Sequence, residues 1–137
     1  MLNKTERYFF GKQDRLKSKK IIETLFKTGN SFSNFPFRVL WLPENHLATL
    51  QAGVGVSSRF FKKATDRNHI KRLMRESYRL QKNILHETLV SNDKVMSVFI
   101  LYTGKEIPDY QFVYEKMGII ISRLIKFLHE KTKPHTE

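Results

Sequence analysis

The sequence predicts a small β-sheet with helices packed on it, and three observations carry that reading. Apolar residues alternate with a period of two in Ser31–Leu42 and again in Leu47–Ser57. Lys94–Tyr102 is a nearly unbroken apolar run, the pattern of a strand central in a sheet. Around these strands, three longer stretches repeat apolar residues at helical spacing. The order is α-β-β(-β)-α-β-α, the bracket marking a possible split of the first strand near Asn34. Layering the helices on the sheet buries both sets of apolar faces.

Residues 1–14 read as an irregular basic arm, expected to be flexible. Arg15–Thr28 reads as the first helix, with Leu16, Ile21 or Ile22, Leu25 and Phe26 as apolar positions and Gly29-Asn30 as the stop. In the strand that follows, Phe35, Phe37, Val39 and Trp41 share one face and Pro36, Arg38 and Leu40 the other. Its early proline suits an edge or a strand start. After the turn Pro43–His46, the second strand segment sets Val54 and Val56 against Gly53 and Gly55. Arg59–Thr65 is a basic loop, and Thr65 or Asp66 is placed to cap a central helix running to about Glu87. Ser91–Asp93 breaks the chain before the apolar strand. Val113, Met117, Ile120, Ile121, Leu124 and Leu128 mark a last amphipathic helix, with a flexible polar tail at 132–137.

The 137 residues suit a single domain, and eleven Phe, five Tyr and one Trp supply a core. With 25 Lys and Arg against 13 acids, the net charge is +12, which points to a polyanion as partner. There is no cysteine, which removes disulfides, thiolate zinc sites and cysteine nucleophiles. No apolar run approaches the ~18 residues that span a bilayer, and the N-terminus lacks the pattern of a secretory signal. The expectation is a soluble, cytoplasmic protein with no membrane partner.

The charge is concentrated. Arg59–Lys82 holds nine Lys or Arg and only Asp66 and Glu76 as acids. At about 100° per residue, Ile70, Leu73, Met74, Ser77, Leu80, Ile84 and Leu85 fall on one arc. Arg67, Asn68, Lys71, Arg72, Arg75, Arg79 and Lys82 fall on the next. Arg67, Lys71, Arg75 and Arg79 form an i, i+4 row, and each like-charge pair in it costs about 0.2–0.5 kcal/mol. Binding phosphates offsets that cost, so the row reads as a ridge facing nucleic acid, with Glu76 relieving little of it.

Other motifs are weaker. Gly53-Val54-Gly55 lacks the third glycine of a dinucleotide loop, because Ser58 stands there, and reads as close backbone packing. His46, His69, His86, His129 and His135 show no metal-ligand spacing. No residue set reads as catalytic, and no metal ligands or bound cofactor are expected in the protein itself. Phe35, Phe37 and Trp41 line one strand face, and Phe9, Phe10, Phe26, Phe32, Phe60 and Phe61 lie close to the basic regions. Most of these read as core, while one or two exposed in a groove beside the basic helix would stack on unpaired bases. A duplex-DNA reader is disfavoured by the absence of helix-turn-helix spacing. These features fit a general or ribosome-associated RNA-binding protein as well as a processing factor.

The segment Ala52–Leu80, AGVGVSSRFFKKATDRNHIKRLMRESYRL, closely resembles the protein component of bacterial ribonuclease P. That family opens its central helix with Arg-Asn-Arg-x-Lys-Arg-x-x-Arg, here Arg67, Asn68, His69, Lys71, Arg72 and Arg75. Arg15-Leu16-Lys17, Leu25-Phe26, Gly29, Ser31-Phe32 and Phe35-Pro36-Phe37 fit its N-terminal half. The resemblance implies an α/β (α+β) two-layer sandwich, ribosomal-protein-S5-domain-2-like, with a left-handed βαβ crossover. It implies a subunit that promotes endonucleolytic removal of the 5′ leader of precursor tRNA, the hydrolysis being done by ribonuclease P RNA with Mg2+ at the RNA active site. Its partners would be ribonuclease P RNA and precursor tRNA. RNA contacts are expected from Arg59, Lys62, Lys63, Arg67, Asn68, His69, Lys71, Arg72, Arg75 and Arg79. A leader-binding cleft between the first helix and the sheet is expected from Lys17, Phe26, Phe37 and Trp41. His69 departs from the family arginine, and an unperturbed His is only partly charged near neutral pH.

Overall fold

The computed structural model describes residues 10–130. Residues 1–9 of the expected arm and the whole of the expected tail lie outside that range. The strands are β1 (Asn30–Asn34), β2 (Phe37–Leu42), β3 (Leu50–Val56) and β4 (Met96–Tyr102). The helices are α1 (Lys19–Thr28), α2 (Ala64–Gln81), α3 (Asn83–Ser91) and α4 (Tyr110–His129).

The first strand region does split, at the Phe35–Pro36 turn, into the antiparallel hairpin β1–β2. The sheet order is β1-β2-β4-β3. β2 and β4 are antiparallel, while β3 and β4 run parallel and are joined through α2 and α3. β4 is central, as its apolar run requires. The free edge of β3 is covered by the N-terminal segment, where Leu16 N–H donates to Ala52 O (3.0 Å) and Gln51 Nε2 donates to Gln13 O (2.9 Å).

Strand parity decides what each face meets. Phe37, Val39 and Trp41 of β2, Leu50 and Ala52 of β3, and Met96, Val98, Ile100 and Tyr102 of β4 face α2 and α4 and build the main core. The opposite parity gives Leu40, which joins Leu16 and Leu25 in a smaller cluster beneath α1. The sheet and the α2–α4 layer form the sandwich, and α1 lies across part of the other face.

Local chemistry sets the helix ends, partly against expectation. α1 begins later than the apolar spacing suggests, because Ser18 caps it: Ser18 Oγ accepts from Ile21 N (3.2 Å). α2 begins at Ala64 without a side-chain cap, so Thr65 and Asp66 lie inside its first turn rather than before it. The helix breaks at Lys82, where φ −72° and ψ −17° remain helical, and the apolar period therefore runs on through α3. Gln81 Nε2 crosses from α2 to Tyr114 O of α4 (3.0 Å) at this point.

Candidate nucleic-acid interface

The basic arc of α2 is not uniform. Asn68, His69 and Arg72 are exposed, and Lys71 and Arg75 are half-exposed. None of these side chains makes a hydrogen bond or ion pair among the described residues. Arg59, Lys62 and Lys63, in the loop before α2, are also exposed. The two ends of the predicted row behave differently. Arg67 Nη1 donates to Phe61 O (2.8 Å) and Lys62 O (2.9 Å), so it anchors the basic loop to α2. Arg79 pairs with Glu76 at 2.6 Å, and Glu76 thereby neutralises more of the row than its sequence suggests. That pairing holds the Glu76 carboxyl below its ordinary range. Lys82, on the basic arc of the wheel, is buried instead, and burial lowers its pKa.

At the centre of the basic arc, Arg72 and Arg75 have no acidic partner among the described residues. Arg75 packs against the N-terminal segment, and its pKa is lowered by burial and then by the neighbouring Arg15 and Arg72. A guanidinium remains charged regardless, so the cluster is a site of stored repulsion that an anion relieves. A cavity of about 110 Å3, lined in part by Arg15, Lys17, Gly53 and Arg75, joins this cluster to the open face of the sheet.

On that open face, α1 and β4 supply the aromatics. Phe26 is 43% exposed and its ring lies 5.6 Å from that of Phe99. Phe99 and Leu101 are half-buried on the same face as exposed Arg38. Gly53 and Gly55 make room for them. A Cβ on Gly53 would lie 3.0 Å from Phe99 Cδ1, and one on Gly55 would lie 2.8 Å from Phe99 Cζ. The close-packing reading of these glycines is thus the geometry found.

Two of the residues expected in the cleft are elsewhere. Phe37 is 1% exposed with its ring 5.3 Å from Tyr102, and Trp41 is 4% exposed and stacked on Phe127 of α4 at 5.3 Å. Both have the parity of the main core, so neither can reach a ligand on the α1 side. Lys17 and Phe26 do lie on that side. Phe99 was missed because β4 is apolar at almost every position and shows no alternation to separate its faces. The available signal was the glycine pair at i, i+2 on the neighbouring strand, which leaves space for a large ring.

Comparison with known proteins shows the family. A family model described as Ribonuclease P matches residues 10–124. The chain belongs to the ribonuclease P protein family. A ribonuclease P protein component from Porphyromonas gingivalis (strain ATCC BAA-308 / W83) is 32% identical over 115 residues, covering 82% of this chain and 84% of that protein. The component from Thermotoga petrophila is 31% identical over 119 residues, covering 84% of this chain and 95% of the relative. Among solved structures, the RNase P protein from Thermotoga maritima superposes with a TM-score of 0.64 at 29% identity, covering 80% of this chain and 96% of that one. The match to the family runs through α1, the sheet, α2 and most of α4, so it takes in the ridge and the open face together. None of the described helices is long and apolar enough to cross a membrane.

Proposed function

We propose that this chain is the protein subunit of ribonuclease P, binding the catalytic RNA through α2 and the 5′ leader of precursor tRNA through the α1 face. The observation that carries the reading is the cluster of Arg72 and Arg75, with Arg15 nearby. It has no acidic partner among the described residues, and it stands on a helix that buries Ile70, Met74 and Tyr78 in the core. Phosphates of a folded RNA supply the missing charge, and Lys71, Asn68 and the loop lysines extend the contact. Single-stranded leader enters the groove between α1 and the sheet, where Phe26 and Phe99 offer stacking surfaces and Lys17 and Arg38 charge.

The protein then works by positioning. Among the described residues, no three or more His, Asp or Glu side chains come together as a metal-holding group. Mg2+ held by RNA and substrate phosphates would stabilise the attacking and leaving oxygens. Cations of the protein lower phosphate repulsion and hold the leader in register, which raises effective substrate and metal affinity.

Reconstitution tests this directly. Ribonuclease P RNA plus this protein is expected to cleave precursor tRNA at a Mg2+ concentration where the RNA alone is slow, and the protein alone is expected to cleave nothing. Binding of structured RNA without any gain in cleavage would instead make the chain a general RNA-binding protein.

A further inference from the structure

We propose that a second pocket, at the end of the sheet and ringed by Phe35, Tyr102 and Phe112, seats one unpaired base of the RNA subunit. The inference rests on the function proposed above and adds a recognition site to it. The cavity measures about 550 Å3, within the roughly 300–1,000 Å3 typical of small-ligand pockets. It lies where β2 begins and β4 ends, between the Phe35–Pro36 turn, the 103–109 loop and the first turn of α4.

The walls are built rather than incidental. Thr103 N and Oγ1 both donate to Pro36 O (2.8 and 2.9 Å), and Tyr102 Oη donates to Glu106 O (2.6 Å). Asp109 Oδ1 accepts from Phe112 N (2.8 Å), fixing the start of α4. These bonds pre-form the site, which lowers the entropy cost of filling it. The apolar lining is nevertheless left in solvent: Phe35 is 77% exposed, Ile107 46% and Phe112 37%. Three large apolar side chains thus converge at one exposed spot.

The lining itself sets Lys105 against Glu106 and Asp109, and further cations stand beside the pocket. Lys105 Nζ and the Arg59 guanidinium stand over the ring of Phe60, at 5.7 and 5.4 Å, and Lys116 Nζ stands over Phe112 at 5.5 Å. Exposed rings bordered by cations take a base by stacking and its phosphates by charge. Phe60 belongs to the loop that enters α2, whereas the α1 groove lies on the opposite face of the sheet. That placement assigns the base to the RNA subunit docked on α2 rather than to the leader. Glu106 and Asp109 line the rim, and a carboxylate accepts from an amino group such as cytosine N4. The pocket therefore favours cytosine over uracil, which has no amino group.

Two measurements test this. Phe35→Ala combined with Phe112→Ala removes only exposed rings, and circular dichroism checks the fold. Its affinity for ribonuclease P RNA is expected to fall about 5- to 150-fold, the worth of one stacked base, with the salt slope unchanged. Cytidine and uridine titrated into 15N-labelled wild-type protein are expected to shift the amides of Gly104, Lys105 and Phe112, cytidine at lower concentration. Wild-type affinity in the double variant, or nucleoside shifts confined to α1 and α2, overturns the proposal. A loss seen only with leader-bearing precursor would overturn the assignment to the RNA subunit. Pocket shifts with an apolar peptide and none with cytidine would overturn the assignment to RNA. If wild-type protein binds no ribonuclease P RNA at all, the proposed function fails, and the nucleoside titration still decides the pocket.

Discussion

Phe99 rests against the bare backbone of Gly55, so closely that a Cβ at Gly55 would lie 2.8 Å from its Cζ. The relationship fixes the floor of the groove under α1, because Phe99 in turn supports the exposed ring of Phe26. Gly55→Ala must displace the Phe99 ring. We expect it to weaken binding of leader-bearing precursor by up to about 1–3 kcal/mol, the scale of one lost stacking surface. Affinity for mature tRNA and for the RNA subunit should not change. Titration of the variant with precursor and mature tRNA checks this.

Trp41 is a reporter of the core rather than of the leader. It stacks on Phe127 at 5.3 Å with an interplanar angle of 19° and is shielded from the α1 face by the sheet itself. Tryptophan emission should be the same on adding leader-bearing precursor and on adding mature tRNA. A shift specific to the precursor would show that the ring reaches the cleft.

Tyr78 gives the fold an alkaline limit. Its ring packs edge-on to Phe10 at 5.3 Å, and its hydroxyl is buried without a hydrogen-bond partner among the described residues. Burial, and secondarily Asp14, pushes the phenol far above its ordinary value. The unfolded phenol ionises near 10 while the folded one keeps its proton, so the unfolded state binds fewer protons above that pH. Stability is therefore intact below about pH 10 and falls by about 1.4 kcal/mol per pH unit above it. Tyr78→Phe should remove this part of the loss, and it should also raise stability at pH 7 by about 1 kcal/mol by deleting an unsatisfied hydroxyl. Urea unfolding of both proteins at pH 7 and above pH 10 checks both effects.

His69 is exposed beside Asn68 at the entrance to the basic arc. His69→Arg adds a permanent cation there. We expect tighter binding of ribonuclease P RNA and a salt slope steeper by about 0.9, one further phosphate contact. An unchanged slope would mean that His69 faces no phosphate.

How much of this was legible in the sequence differs between the fold and the site. Alternation sorted β2 correctly into Phe37, Val39 and Trp41 on one side and Arg38 and Leu40 on the other. It could not say which side a ligand meets, because β2 is covered on both: Leu40 is as buried as Phe37. The break at Lys82 was invisible because the residue keeps helical dihedrals, so the apolar period does not slip. The wheel placed α2's charges on one arc but could not show how they are spent. Arg67 turns back to two loop carbonyls and Arg79 to Glu76, choices made by local geometry and not by spacing. Arg15 reads in the sequence only as the start of the first helix, because its closeness to Arg75 depends on the N-terminal segment covering the edge of β3. Only tertiary structure brings those two charges together.

In the proposed function the centre of the ridge grips RNA phosphate, and the salt dependence of ribonuclease P RNA binding tests that most directly. Arg72→Ala and Arg75→Ala should each weaken binding and flatten the plot of log affinity against log salt by about 0.9, while Arg79→Ala, already paired with Glu76, should change the slope less. Folded variants of Arg72 and Arg75 that keep the wild-type affinity and slope would contradict it.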